Sequence, residues 1–298
     1  MTGQRLRALS LVIVMALSGA CTVTEMDYSK TIGSSSASES SASRHDKKRD
    51  KNKEAAETYV QLGLGYLRRG ERQRARTNLL KALEKDKRSG DAHNALALLL
   101  QVEGENDLAE KHFKKAIAYE PDLTSVRYNY ASFLIRQKRY ADAEKQFLMA
   151  AGDVNYARRG QVFYNLGLIA KQLGKPEEAQ QAWEKAIKLS PRFAAPFLEL
   201  ADIYFTLGDY PRAKRYLEHY EDLSKPSPRA LWLAVRLEHA FGNKDGEASK
   251  ALALRNLFPY SEETIAYKAW LKGREEGVSR LFPATKDSLE YKDLIKVQ

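Results

Sequence analysis

Residues 59–82, YVQLGLGYLRRGERQRARTNLLKA, decide the fold. Their apolar and small residues fall at Tyr59, Leu62, Gly63 and Tyr66, then, beyond a break at Gly70, at Ala75, Leu79 and Ala82. That spacing is one face of a helix, a turn, and one face of a second helix. The order returns after 34 residues as Leu96, Ala97, Leu100, Ala109, Phe113, Ala116 and Pro121, and again as Tyr130, Ala131, Leu134, Ala143, Phe147 and Ala150. A slip of two residues precedes the fourth copy, with Phe163, Leu166, Gly167, Ala170, Ala179, Trp183, Ala186 and Pro191. The fifth follows as Leu200, Ala201, Tyr204, Ala213 and Leu217. Small columns let two antiparallel helices approach closely, and large columns fill the space between neighbouring pairs, so each column has a packing reason for its size. Gly70, Gly104, Gly174 and Gly208 form one further column, where a residue tolerant of positive φ can end the first helix.

This pattern resembles the tetratricopeptide repeat. It predicts an all-α superhelix of about six helix-turn-helix repeats over residues 54–260. The sixth copy is degenerate: Leu231, Trp232, Val235 and Leu237 make an apolar stripe and Gly242 sits in the turn, with Ala248 and Leu252 continuing after an apparent one-residue insertion. A terminal repeat has one neighbour only, so divergence there is physically expected. Beyond it, Leu257-Phe258-Pro259-x-Ser261 leads into Tyr267-Lys268, and Leu281-Phe282-Pro283-x-Thr285 leads into Tyr291-Lys292. Ser261 and Thr285 read as N-caps. Residues 261–298 are therefore expected as a capping helix and a tail, with the role of 273–298 left open.

The formal charge of +10 raises nucleic acid as a partner, so its distribution matters. Residues 44–53, RHDKKRDKNK, hold six basic and two acidic side chains, while the repeats intersperse both signs as solvated faces do. No base-stacking motif accompanies them, and nucleic-acid binding is not expected. At the amino terminus, Arg5 and Arg7 precede the apolar run Leu9–Leu17, then Ser18, Gly19, Ala20 and Cys21. Basic, apolar, small is the order of a secretory signal, here residues 1–20, too short to remain as a membrane span. Ser-Gly-Ala-Cys resembles the bacterial lipobox, although Ser18 stands where a large aliphatic residue is usual. The resemblance implies acylation of Cys21, several acyl chains making a stable anchor. Thr22 in place of aspartate implies, by the same resemblance, export to the outer membrane. Residues 21–53, including GSSSASESSAS, are expected as a flexible linker reaching about 30 Å.

Cys21 is the only cysteine, so a chain acylated there keeps no thiol for a disulfide, a metal or a nucleophile. His93 and His112 read as exposed helical histidines, and no histidine stands at H-E-x-x-H or similar spacing. No phosphate-binding glycine loop and no G-x-S-x-G motif occurs. The expectation is a non-enzyme with no metal, no cofactor and no small-molecule substrate.

In this architecture the first helix of each pair lines the concave face. Counting from the core columns places Val60, Leu64, Leu67 and Arg68 there, then Asn94, Leu98 and Gln101, then Tyr128, Ser132 and Ile135. The fourth and fifth copies add Tyr164, Leu168 and Lys171, then Leu198, Asp202 and Phe205. Tetratricopeptide co-chaperones carry basic and asparagine side chains there to clamp a peptide carboxylate, but the corresponding first places here are Val60 and Leu64. An apolar or amphipathic segment is the better ligand, with the first repeat as its anchor.

Tyr59-Val-Gln-Leu-Gly-Leu-Gly-Tyr66 with Arg69-Gly70, Asn129-Tyr130 with Gln137-Lys-Arg-Tyr-Ala-Asp-Ala143, Val162-Phe-Tyr-Asn-Leu-Gly-Leu168 and Leu257-Phe-Pro259 go beyond the generic repeat. Together with the lipobox and linker they resemble the type IV pilus biogenesis and stability lipoproteins, the PilF/PilW pilotin family. That resemblance covers residues 21 to about 270 and implies a non-catalytic, lipid-anchored protein at the periplasmic face of the outer membrane. It implies binding of the secretin subunit of the type IV pilus and promotion of its localisation and assembly. A scaffold or regulator of cell-wall synthesis enzymes shares the anchor and repeats but not these phrases.

Overall fold

A computed structural model describes residues 35–275, and the side chains of residues 46–274. The leader, Cys21, Thr285 and the tail beyond residue 275 lie outside the described residues. Within them the chain forms thirteen α-helices and no strand. It divides into two units, residues 1–51 and 52–298. The division falls within the first helix, α1 (Ser35–Arg68).

In the first unit the described backbone is helical from Ser35, where the linker was expected to be flexible. Residues 46–51 are all exposed, and Asp46 lies 3.7 Å from Arg49 one turn on. Lysine and arginine lose little side-chain freedom in a helix and spaced opposite charges support it. A lack of apolar residues removes packing partners without removing helix propensity.

The second unit continues with α2 (Arg72–Lys85), α3 (Gly90–Val102), α4 (Asn106–Tyr119), α5 (Thr124–Arg136), α6 (Tyr140–Gly152) and α7 (Arg159–Gln172). These are followed by α8 (Pro176–Leu189), α9 (Ala195–Thr206), α10 (Tyr210–Leu223), α11 (Pro228–Ala240), α12 (Lys244–Leu257) and α13 (Glu262–Glu275). Successive helices pair as α1 with α2, α3 with α4, and so on to α11 with α12. The second helix of each of the first five pairs buries its expected columns; Ala75, Leu79 and Ala82 in α2, Ala109, Phe113 and Ala116 in α4, and Ala143, Phe147 and Ala150 in α6 are all 0% exposed. The two-residue slip is absorbed between α6 and α7, where the Tyr156 ring of the longer loop lies tilted toward Tyr128 at 6.2 Å.

Size matching is tightest in the fourth pair. Trp183 replaces the phenylalanine of its column, and Gly167 opposite leaves room for it: a Cβ there would stand 2.3 Å from the indole nitrogen. That nitrogen donates to the Tyr164 carbonyl at 3.1 Å. Each intra-pair turn closes with the same bond from three residues past the helix, such as Glu71 N to Tyr66 O, Glu105 N to Leu100 O and Arg139 N to Leu134 O, all 2.9 Å. Five of these turns place glycine at φ between 71° and 83°, and the third places Lys138 at φ 58°.

The sixth pair keeps its register without the expected insertion. Ala251 and Leu254 are buried and Leu252 is 56% exposed. Glu247, 34 residues after Ala213, occupies the small column, and its charge masked the alignment. Beyond it, α13 lays Trp270 and Tyr267 edge-on against Trp232 at 6.3 and 6.1 Å. The Ser261 hydroxyl accepts from Thr264 N at 3.2 Å, the predicted N-cap, and buried Thr264 donates to the Phe258 carbonyl at 2.7 Å. This helix covers the apolar face that the last pair would otherwise expose.

The left-handed backbone at Lys138 costs a residue with a Cβ about 1 kcal/mol that glycine avoids. Lys138→Gly is expected to raise stability by about 0.5–1 kcal/mol, the greater freedom of unfolded glycine offsetting part of the gain. Urea unfolding of the two proteins measures it.

Candidate binding groove

The first helices α1, α3, α5, α7, α9 and α11 stand side by side. Residues about 35 apart in sequence therefore meet across the inner face. Asn129 donates to the Asn94 side-chain carbonyl at 3.1 Å, and Asn165 donates to the Tyr128 hydroxyl at 3.3 Å. Arg136 donates to Gln101 at 2.6 Å. The face expected to be apolar with a few polar markers thus carries a ladder of side-chain hydrogen bonds, flanked by Leu64, Leu67, Leu98, Ile135 and Leu168.

Several expected groove residues are placed otherwise. Val60 is 3% exposed and belongs to the core with Ala56, Ala75 and Leu79, because its column points between α1 and its neighbours. Leu198, in the same column of α9, is 7% exposed for the same reason. Asn94 is buried with its oxygen already engaged. Leu64, Leu67 and Leu98 are half-buried, and Arg68 is exposed at the end of α1. Tyr128 stands edge-on to Phe147 at 5.5 Å under the Arg158 guanidinium at 4.5 Å, and the Ser132 hydroxyl donates to its carbonyl at 2.9 Å. Phe205 lies beneath the guanidinium of Arg236 at 4.6 Å.

Ile135, Leu168 and Lys171 come together in one cavity of about 290 Å³, completed by Tyr140, Ile169, Gln172, Glu199 and Arg229. One wall is aliphatic and aromatic, the other charged. Arg229 of α11 spans Glu199 with both terminal nitrogens, at 2.5 and 2.9 Å, and reaches Asp202 at 2.6 Å. Arg236 approaches the other Asp202 oxygen at 3.4 Å, and Lys171 lies 3.6 Å from Glu199. Burial alone would raise the Asp202 pKa, but Arg229 and Arg236 outweigh it and hold the carboxyl below its ordinary range. Burial works against the Arg229 charge, and Asp202 and Glu199 more than compensate. Burial and the neighbouring Glu199 charge push the Tyr164 hydroxyl up to about 12. Glu199 and Arg229 were not anticipated, since a lone charge on a helix reads as solvated and its partner lies 30 residues away.

His93 and His112, expected to be exposed, form a contact with their Nδ1 atoms 2.9 Å apart, and His93 is 5% exposed. Among the described residues no three histidine, cysteine, aspartate or glutamate side chains gather where they could hold a metal ion. Among the same residues no helix is long and apolar enough to cross a membrane.

Stacked helix pairs around an open inner groove define a tetratricopeptide-repeat protein, and tetratricopeptide-repeat family profiles match residues 100–155, 160–193 and 198–262. The type IV pilus assembly protein PilF of Pseudomonas aeruginosa is 40% identical over 224 residues, 75% of this chain and 88% of PilF. The solved structure of P. aeruginosa PilF aligns at a TM-score of 0.70 with 39% identity, covering 74% of this chain and 98% of that one. PilW, described as a widely conserved type IV pilus biogenesis factor, aligns at 0.62 with 26% identity, covering 70% of this chain and 96% of PilW. The chain belongs to the PilF/PilW family.

Removing one partner of a buried ion network leaves the others desolvated and unpaired, a loss of about 3–5 kcal/mol. Arg229→Met is expected to destabilise the protein by that order at pH 7. The depressed pKa of Asp202 means that its contribution is present above the unfolded value of about 3.9 and is lost as pH falls through the lower folded value. The gap between the two proteins therefore narrows below about pH 4, measurable by urea unfolding at pH 7 and pH 3.

Proposed function

We propose that this protein is a pilotin of type IV pilus biogenesis. It is anchored by acyl chains on Cys21 at the periplasmic face of the outer membrane and binds the secretin subunit through its concave groove. It promotes secretin localisation and multimer assembly and catalyses no reaction. The observation that carries this reading is the 40% identity to PilF across 88% of PilF's length. The groove supports it physically. Its aliphatic residues Leu64, Leu67, Leu98, Ile135 and Leu168 can receive the apolar face of a segment that would aggregate if left in water, the helix-in-groove mode of recognition. The hydrogen-bonded ladder and ion network beneath them keep that surface in one shape, so little ordering cost attends binding.

Two measurements test this. Purified protein is expected to bind soluble fragments of the secretin, and Leu64→Asp and Leu168→Asp are each expected to weaken binding at least about tenfold while leaving helicity intact, a charge in an apolar contact costing several kcal/mol. Unchanged affinity in both folded variants removes the groove from the reading, and capture of a cell-wall synthase in place of secretin replaces the partner. Separately, Cys21→Ser is expected to move the protein from the outer-membrane fraction to the soluble periplasm. Retention of the serine variant in the membrane would overturn the anchor.

A further inference from the structure

The outer side of the second repeat carries charge that the groove does not use. On α4, Leu108, Lys111, Lys115 and Ala118 face outward together with Tyr119, around a shallow depression that Lys114 and His112 also line. Beside it runs the α2–α3 loop with Lys87 and Arg88. The Arg88 guanidinium sits 5.4 Å from the Tyr119 ring centre, and that ring is 5.4 Å from His93. His93 in turn lies 3.3 Å from the Lys87 carbonyl and 2.9 Å from His112. Loop and helix are thus one surface.

Lys87, Arg88, Lys111 and Lys115 are all exposed, and among the described residues none has a carboxylate within ion-pair distance. The nearby carboxylates are otherwise engaged or set apart. Asp86 accepts from the Arg88 backbone at 2.9 Å, and Glu110 is shared by Lys114, Arg139 and Tyr130 at 2.8–2.9 Å. Asp107 stands one turn before Lys111 on α4, without an ion pair to it among the described residues. Burial, then the neighbouring His93 and Lys115, push His112 down to about 4, so the imidazole pair adds no charge at neutral pH. What remains is a cluster of four ammonium and guanidinium groups beside Leu108, 43% exposed, and Tyr119, 37% exposed.

We propose that this face of α4 and the α2–α3 loop docks on the anionic phospholipid headgroups of a membrane. A shallow surface offers no cleft to seat a peptide, and of its paired rings Tyr119 is exposed while His93 is buried, which leaves a single face for stacking rather than the row that successive bases need. Cations on long apolar stems beside a leucine and a tyrosine suit the layer where headgroups meet acyl chains. The surface belongs to a second helix, whereas the groove is lined by first helices, so both can be occupied at once. The inference stands apart from the secretin reading: lipid docking needs neither the groove nor the partner.

The test uses the full chain carrying Cys21→Ser, so that no acyl chain contributes. Any partition of residues 9–17 into lipid is common to all variants. The protein is expected to sediment with phosphatidylcholine vesicles containing about 30 mol% phosphatidylglycerol far more than with pure phosphatidylcholine, and to be released by about 0.5 M salt. Lys111→Glu/Lys115→Glu is expected to lose at least about tenfold in vesicle binding, and Lys111→Gln/Lys115→Gln a smaller factor, with unchanged unfolding temperature. Lys145→Glu/Lys188→Glu, an equal change of net charge on other helices, is expected to retain binding. Equal sedimentation on both lipids, or equal loss in the control pair, overturns the proposal. So does tighter binding of an acidic peptide or a nucleic acid than of the anionic vesicles.

Discussion

Two helices can run side by side at the separation seen in each pair only if one presents hydrogen or methyl where the other presents a ring or a branched chain. Gly167 against Trp183 shows this constraint at its plainest, since a single added carbon would overlap the indole. Ala75, Ala109, Ala143, Ala179 and Ala213 apply it more loosely, each 0% exposed. The rest of the molecule depends on this contact. It sets how far the first helix of one pair stands from the first helix of the next, and therefore which side chains meet on the inner face. Each large core residue buried in this way contributes roughly 1.5–3 kcal/mol, and the same contacts recur from pair to pair.

Once the first helices are aligned, the inner face acquires two kinds of polar structure. Toward the amino terminus it is a ladder of neutral bonds through Asn94, Asn129, Tyr128 and Asn165. Toward the carboxyl terminus it is an ion network linking Lys171, Glu199, Asp202, Arg229 and Arg236 across α7, α9 and α11. A buried ion network adds little stability over well-packed apolar residues of the same volume, but it is costly to break from one side. Its contribution is geometric: the charges tie three helices around a cavity whose opposite wall is Ile135, Tyr140 and Leu168. A binding surface held this way presents apolar side chains without letting them collapse on each other.

The terminal cap and the outer face complete the division of labour. Trp232, Tyr267 and Trp270 close the carboxyl end with aromatic edge contacts, which removes the exposed apolar flank every open-ended repeat array would otherwise have. On the outer face of the second repeat, Lys87, Arg88, Lys111 and Lys115 have no carboxylate at ion-pair distance among the described residues and stand beside partly exposed apolar groups. Inner and outer surfaces therefore differ in chemistry as well as in curvature.

Column identity, repeat number, the glycine turns and the Ser261 cap were all legible in the chain, because each rests on local spacing or on the conformational tolerance of one residue type. Where a column was filled by an unusual residue the reading slipped. Glu247 in a small column suggested an insertion that does not exist, and Lys138 in a turn column gave no sign of its positive φ. The inner face was legible only as a list of positions. Val60 and Leu198 turned to the core, because columns at the edge of the groove divide between two neighbours and only the crossing of the helices says which one receives them. His93 with His112, and Glu199 with Arg229, lie 19 and 30 residues apart and meet only after folding. The sequence by itself determined the all-α repeat, since residue size and period are properties of the chain. Only the tertiary structure decided which charges are buried together and where a cavity opens, since those depend on distances between helices that no single repeat contains.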